Sequence, residues 1–242
     1  MEVGVAQVGR GKMTPLAIAV LALLDERPMH PYEMYQLLIA RREDLLVKVR
    51  PGSLYHAVAR LAEDGMVRAE GTARAGNRPE RTTYRITERG VDALRGRIGE
   101  LLRAPVQEFP IFRLALAEAH SLPKEQVVGL LDERVAHLSQ DLTDMDAMLD
   151  WTRAREMPRR YCVHLEYIRA TIGAELAWVE RFAAELGSGA VAWEEFDPST
   201  GQRLTDHNIA THEWPAGDDP DAVPRPRWAA GTDSRRGQER IR

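Results

Sequence analysis

Apolar residues fill every position from Leu16 to Leu24, directly after Thr14-Pro15. A threonine N-cap with proline in the first turn predicts a helix there, and a helix apolar on every face belongs inside a core. Arg27-Pro28 ends it, and His30-Pro31 opens a second helix, Pro31 to about Arg41, with Met34, Tyr35, Leu38 and Ile39 turned inward. After a connection over 43–50, Pro51 starts a third helix that runs to Asp64, with Gly65 at the C-cap position. Within it Leu54, Ala57, Val58 and Leu61 share one side, while Ser53, His56 and Arg60 share the other. One face packs and the opposite face points outward.

The pattern then changes period. Met66-Val67-Arg68-Ala69-Glu70 and Thr82-Thr83-Tyr84-Arg85-Ile86 read as short strands on either side of Gly71 to Arg81, which predicts a β-hairpin with a basic, flexible tip. Thr87 caps a further helix whose stripe is Val91, Leu94, Ile98 and Leu101, and Ala104-Pro105 breaks it. From Phe109 to about Leu186 the chain reads as helical. Leu131, Val135, Leu138, Leu142, Met145 and Leu149 recur at alternating steps of four and three, the seam of a coiled coil. Pro158 is expected to open a last helix with Tyr161, Leu165, Ile168, Ile172, Leu176, Val179 and Phe182 along one stripe. The two stripes can close on each other within one chain or share an intermolecular bundle, and the seam is the candidate dimerisation surface.

These elements predict a mainly α protein: an α+β winged helix-turn-helix over 13–104 and an antiparallel helical dimerisation and effector domain over 105–187. Residues 1–12 are expected to be a flexible N-terminus. Residues 188–242 shift toward Gly, Pro, Asp and Arg and are expected to be a largely disordered tail, with Val191 to Phe196 a candidate strand turning at Asp197 to Gly201.

Composition is that of an ordinary globular protein, with 44% hydrophobic and 29% charged residues, so a core can be buried. The run from Leu16 to Leu24 is far shorter than the roughly 20 residues that cross a bilayer, and no signal-peptide pattern surrounds it. A cytoplasmic location and no membrane partner are expected. A single cysteine, Cys162, excludes an internal disulfide framework and a multi-cysteine zinc site. The net charge of −4 hides a split: residues 1–103 hold 17 Lys and Arg against 13 Asp and Glu, a balance of 17 − 13 = +4, which leaves −8 for the rest. Such asymmetry suits a nucleic-acid module joined to an acidic partner module.

Three helices followed by a hairpin are the layout in which the third helix enters the DNA major groove and the hairpin lies along the neighbouring backbone or minor groove. Arg60 can offer paired donors to guanine, while His56 and Ser53 can bond base edges or phosphates. Tyr55 on the flank can donate to a phosphate. The free amides near Gly52 and Ser53 favour an anion, with Arg50 beside them. On the hairpin, Arg74, Arg78 and Arg81, with Asn77 between them, supply cations for phosphates or a narrow minor groove.

The run Pro51-Gly-Ser-Leu-Tyr-His-Ala-Val-Ala-Arg-Leu-Ala-Glu-Asp-Gly65-Met-Val closely resembles the recognition-helix signature of PadR-type regulators. His30-Pro31-Tyr32-Glu33 and Tyr84-Arg-Ile-Thr-Glu-Arg-Gly90 agree with the family's flanking motifs, although the position of Pro31 is commonly glycine there. Proline in a first helical turn suits the same backbone. The resemblance is strong over Pro15 to Arg103 and looser over Phe109 to Leu186. It implies a cytoplasmic homodimer on a palindromic operator, usually a repressor, often released by a small hydrophobic or aromatic ligand.

Phe109, Phe112, Trp151 and Trp178 are the candidate effector-binding aromatics, since planar ligands stack on such side chains, with core packing as their ordinary alternative. Cys162 and His164 stand two apart on a helix and so face different ways, and neither they nor His137 make a convincing metal site. No cofactor is expected. Catalytic signatures are absent: the sequence holds no G-x-S-x-G, Gly-rich phosphate loop, H-E-x-x-H or C-x-x-C. A non-catalytic protein-interaction scaffold built on the same winged helix is the alternative reading.

Overall fold

The computed structural model describes residues 13–73 and 81–204. Its helices are α1 (Pro15–Glu26), α2 (Pro31–Ala40), α3 (Pro51–Glu63), α4 (Glu88–Arg103), α5 (Ile111–Ala117), α6 (Lys124–Ala154) and α7 (Val163–Gly187), with strands β1 (Val67–Ala73) and β2 (Arg81–Ile86) between α3 and α4. The protein is mainly α, with one small antiparallel sheet, and divides into two compact units after Gln107.

Local chemistry sets the helix starts. Thr14 Oγ1 accepts from the Ala17 amide at 3.2 Å, His30 Nδ1 from Tyr32 at 3.1 Å and Thr87 Oγ1 from Gly90 at 3.1 Å, each satisfying an otherwise unbonded first-turn donor. In the first unit Val20, Leu21, Leu23 and Leu24 of α1 are buried among Met34 and Leu38 of α2, Leu54, Val58 and Leu61 of α3, and Leu94 of α4. Leu37 joins Tyr35 as a partly buried neighbour of this core, in the place expected for Ile39. α3 ends in a Schellman motif: Gly65 takes φ 70°, its amide donates to the Ala62 carbonyl at 3.0 Å, and Met66 N–H donates to Leu61 at 2.8 Å.

The hairpin is longer than the alternation predicts. Pairing continues to Ala73↔Arg81, because a bulge between Ala69 and Gly71 absorbs the irregularity at which the sequence reads as a turn. A further connection has no sequence signal. Met29, between α1 and α2, exchanges both backbone hydrogen bonds with Tyr84 of β2, at 3.1 and 3.0 Å.

In the second unit α6 and α7 pack antiparallel. Leu131, Leu138, Met145 and Leu149 are buried, with Val135 and Leu142 partly so, and Val179, Ala183 and Leu186 of α7 complete the cluster around Leu131 and Leu138. Arg134 pairs with Glu175 and Arg169 with Asp146 across the pair. The seam is thus closed within the chain. Burying the two stripes against each other removes apolar surface without a second subunit.

Two expectations are corrected here. Pro158 opens a 3-10 turn over Arg159–Tyr161, and the helix itself begins at Val163, so Tyr161 is exposed and outside the stripe. The first part of the expected tail is ordered: residues 188–204 fold back onto the helical unit. Trp193 Nε1–H donates to the Leu122 carbonyl at 2.9 Å, and Val191 and Trp193 pack on the helical core. Asp197 Oδ1 accepts from the Ser199 and Thr200 amides at 2.8 and 3.0 Å, building the turn at which Phe196 bridges Arg203.

Candidate nucleic-acid interface

The amphipathic division of α3 holds in three dimensions. Leu54, Val58 and Leu61 are buried, and Ser53, Tyr55, His56 and Arg60 are exposed. Ser53, His56 and Arg60 follow one another at i, i+3 and i+7, so they form a row about 10 Å long on one face. That length matches about three base-pair steps of a major groove, which is wide enough to admit a helix.

The N-terminus of α3 differs from those of its neighbours. No side chain caps it: Arg50 occupies the N-cap position in an extended conformation, and Pro51 brings no N–H of its own. The Gly52 and Ser53 amides are therefore first-turn donors directed at whatever anion approaches. Arg50 is exposed beside them, and so is Lys48, a cation two residues before it in the sequence that periodicity does not single out.

Ion pairing divides the cations of this unit into two sets. Arg27 pairs with Glu33, Arg41 with Glu26, Arg85 with Glu70 and Arg97 with Glu100. Among the described residues, Lys48, Arg50, His56 and Arg60 form no such pair, nor do Arg42, Arg68, Arg89, Arg95 and Arg103; the first four lie on or beside α3, where their donors remain for a ligand. Glu26 is held below the usual carboxylate range by its hydrogen bond to Arg41, as expected of a committed pair.

The wing candidates are only partly visible. The Arg81 backbone pairs with Ala73 at the end of the hairpin, whereas Arg74, Asn77 and Arg78, and the side chain of Arg81, lie outside the described residues.

The four candidate effector aromatics are not brought together. Phe109 is exposed. Phe112 is partly buried beneath Arg134, whose guanidinium carbon stands 3.5 Å from the ring centroid. Trp178 stacks on Phe182 at 5.2 Å. Trp151 is half-exposed under Arg155 at the opposite end of α6, roughly 20 to 30 Å from Trp178 by helical rise. Cys162 is buried, with Sγ 3.9 Å from the Pro158 carbonyl, and no group of three potential metal ligands occurs among the described residues. Among the described residues, no helix is long and apolar enough to cross a membrane.

Comparison with known proteins agrees with this architecture. Residues 20–96 match the model of the transcriptional regulator PadR-like family. No curated protein matches the chain in sequence. Among solved structures, PadR of Bacillus subtilis in complex with operator DNA superposes with a TM-score of 0.60 at 18% identity, over 71% of this chain and 97% of that one. The same protein in complex with p-coumaric acid gives 0.55 at 18% identity, over 74% and 99%. A PadR-like regulator from Bacillus cereus gives 0.51 at 14% identity, over 72% and 98%. At these identities the superpositions establish the fold, and the motif that carries α3 and the hairpin falls inside the family match. Over residues 20–96 this chain is therefore similar to the transcriptional regulator PadR-like family.

Proposed function

We propose that this chain is a sequence-specific DNA-binding transcriptional regulator, acting as a homodimer on an operator with two-fold symmetry. The observation that carries the reading is the outward row Ser53, His56 and Arg60 on a helix whose N-terminus is uncapped and flanked by unpaired cations. In this reading Arg50, Tyr55 and the wing cations Arg74, Arg78 and Arg81 hold phosphates, with Asn77 at the same tip. Arg60, His56 and Ser53 discriminate bases. The complex of a like-folded PadR with operator DNA supports it.

Two recognition helices on one face of DNA must stand about 34 Å apart, so a dimer is part of the reading. Leu131 and its seam mates pack against α7 of the same chain, and the paired helices can still share an intermolecular bundle. Exposed apolar residues on α5, Ile111 and Leu114, offer surface for self-association. A repressing role and release by a small hydrophobic or aromatic effector complete the proposal; the like-folded PadR with p-coumaric acid supports the ligand class. The chain is read as non-catalytic, confined to the cytoplasm and without a cofactor.

Fluorescence anisotropy with duplex DNA from upstream of its own gene tests the central claim. Binding should favour one duplex over a scrambled one and weaken steeply with salt, because neutralised phosphates release counterions. Absence of binding to any adjacent intergenic DNA at low salt would refute it.

A further inference from the structure

Four consecutive residues, Arg27, Pro28, Met29 and His30, connect α1 to α2, and two of them are tied to different parts of the proposed interface. Met29 is fully buried, and its N–H and C=O both pair with Tyr84, in the strand that forms one side of the wing. His30 is the next residue. Its Nδ1 accepts the Tyr32 amide at 3.1 Å, which places the remaining ring proton of the neutral imidazole on Nε2. The same ring meets the ring of Tyr55 edge-on, with centroids 6.2 Å apart and planes at 75°. Tyr55 belongs to the first turn and a half of α3, between the outward residues Ser53 and His56.

We infer that His30 is a positioning residue for DNA recognition: it locks the start of the recognition helix against a connector whose preceding residue is hydrogen-bonded to the wing. The inference rests on the regulator reading above. A wing and a helix that contact different parts of one duplex must keep a fixed offset, because a displacement of an ångström misaligns a base-edge hydrogen bond while leaving phosphate contacts intact. The Met29–Tyr84 pair fixes the connector to the wing through two backbone hydrogen bonds. Contact between connector and helix is made by a side chain, His30, whose orientation is set by its own cap. An edge-to-face aromatic pair has a preferred angle, so it constrains orientation as well as distance. The two roles of the ring are separable, since capping needs an acceptor and the Tyr55 contact needs an aromatic edge or face.

Two variants of the full chain separate them. His30→Asn keeps a good N-cap acceptor and removes the ring; His30→Phe keeps a ring and removes the acceptor. Each is assayed against a duplex recovered by in-vitro selection with the wild-type chain and against a scrambled duplex, alongside a thermal melt. His30→Asn should melt within about 2 °C of wild type yet lose about fivefold in the ratio of selected to scrambled affinity. His30→Phe should melt about 4 to 8 °C lower and retain that ratio when assayed well below its midpoint. An unchanged ratio in His30→Asn overturns the inference. So does a ratio that falls in both variants only in step with the melting temperature, which marks a merely structural role. A wild-type chain that selects no sequence overturns the regulator reading and the inference together, whereas a selecting wild type matched by both variants overturns the inference alone.

Discussion

The backbone of Gly90 runs so close to Met66 that a Cβ at Gly90 would stand 2.2 Å from the Met66 carbonyl oxygen and 2.7 Å from Ile86 Cγ1. That carbonyl also accepts the Thr87 amide at 3.0 Å and the Thr87 hydroxyl at 3.1 Å. The first turn of α4 is thereby fastened to the exit of α3. Gly90→Ala forces this junction apart, and the expected loss is about 1 to 3 kcal/mol, at the upper end because the obstructing atom is backbone. Urea unfolding of the variant checks it, and a wild-type midpoint would refute the close approach.

The interface predicts a division of labour between Arg60 and Arg50. Arg60→Ala should cost about 1 to 3 kcal/mol on the preferred duplex and relax preference at one base pair. Arg50→Ala should weaken all duplexes alike and lower the salt slope by about one. Anisotropy titrations at several salt concentrations read both quantities, and identical behaviour of the two variants contradicts the assignment.

Because the α6 seam is closed by α7 of the same chain, its loss is a loss of folding. Leu138→Ala should destabilise the helical unit by about 2 to 4 kcal/mol, with a shift in urea midpoint that does not depend on protein concentration. A shift that disappears at high concentration would show that the seam is shared between subunits.

The returning segment makes a graded prediction. Trp193→Phe removes the hydrogen bond to Leu122 while keeping an aromatic ring in place, and should cost about 1 kcal/mol. Trp193→Ala also strips the packing beside Phe182, 6.4 Å away between ring centroids, and should cost about 2 to 3 kcal/mol. Equal melting temperatures for wild type and Trp193→Ala would contradict docking of residues 188–204.

Burial pushes the His164 imidazole below the ordinary histidine range. Such a group takes up its proton less readily folded than unfolded. Its unfavourable contribution is therefore absent well above the unfolded value of about 6.5 and grows as pH falls through it toward the lower folded value. Urea midpoints at pH 7.5 and 5.5 should drop more for wild type than for His164→Gln. Equal drops would assign the acid sensitivity elsewhere.

Local chemistry made a large part of this fold legible in the sequence. Thr14-Pro15, His30-Pro31, Pro51 and Thr87 mark helix starts because capping and proline geometry act within a few residues, and the three- and four-residue spacing of Leu54, Val58 and Leu61 assigns the faces of α3 without reference to any other element. For the same reason Ser53, His56 and Arg60 could be named as an outward row. What covers each apolar face is a different question, since burial is satisfied equally by a neighbour in the same chain or in another. Only the tertiary structure decided that α7 packs on the α6 seam and that Trp151 lies far from Trp178. Proline geometry suits a 3-10 turn as well as an α-helix, so Pro158 alone could not fix where α7 begins. The Met29 pairing with Tyr84 and the Trp193 bond to Leu122 join residues distant in sequence, and periodicity carries no information about such pairs. The sequence by itself determined which residues face outward on α3; the fold decided which distant residues that helix and the hairpin meet, because such contacts are set between elements.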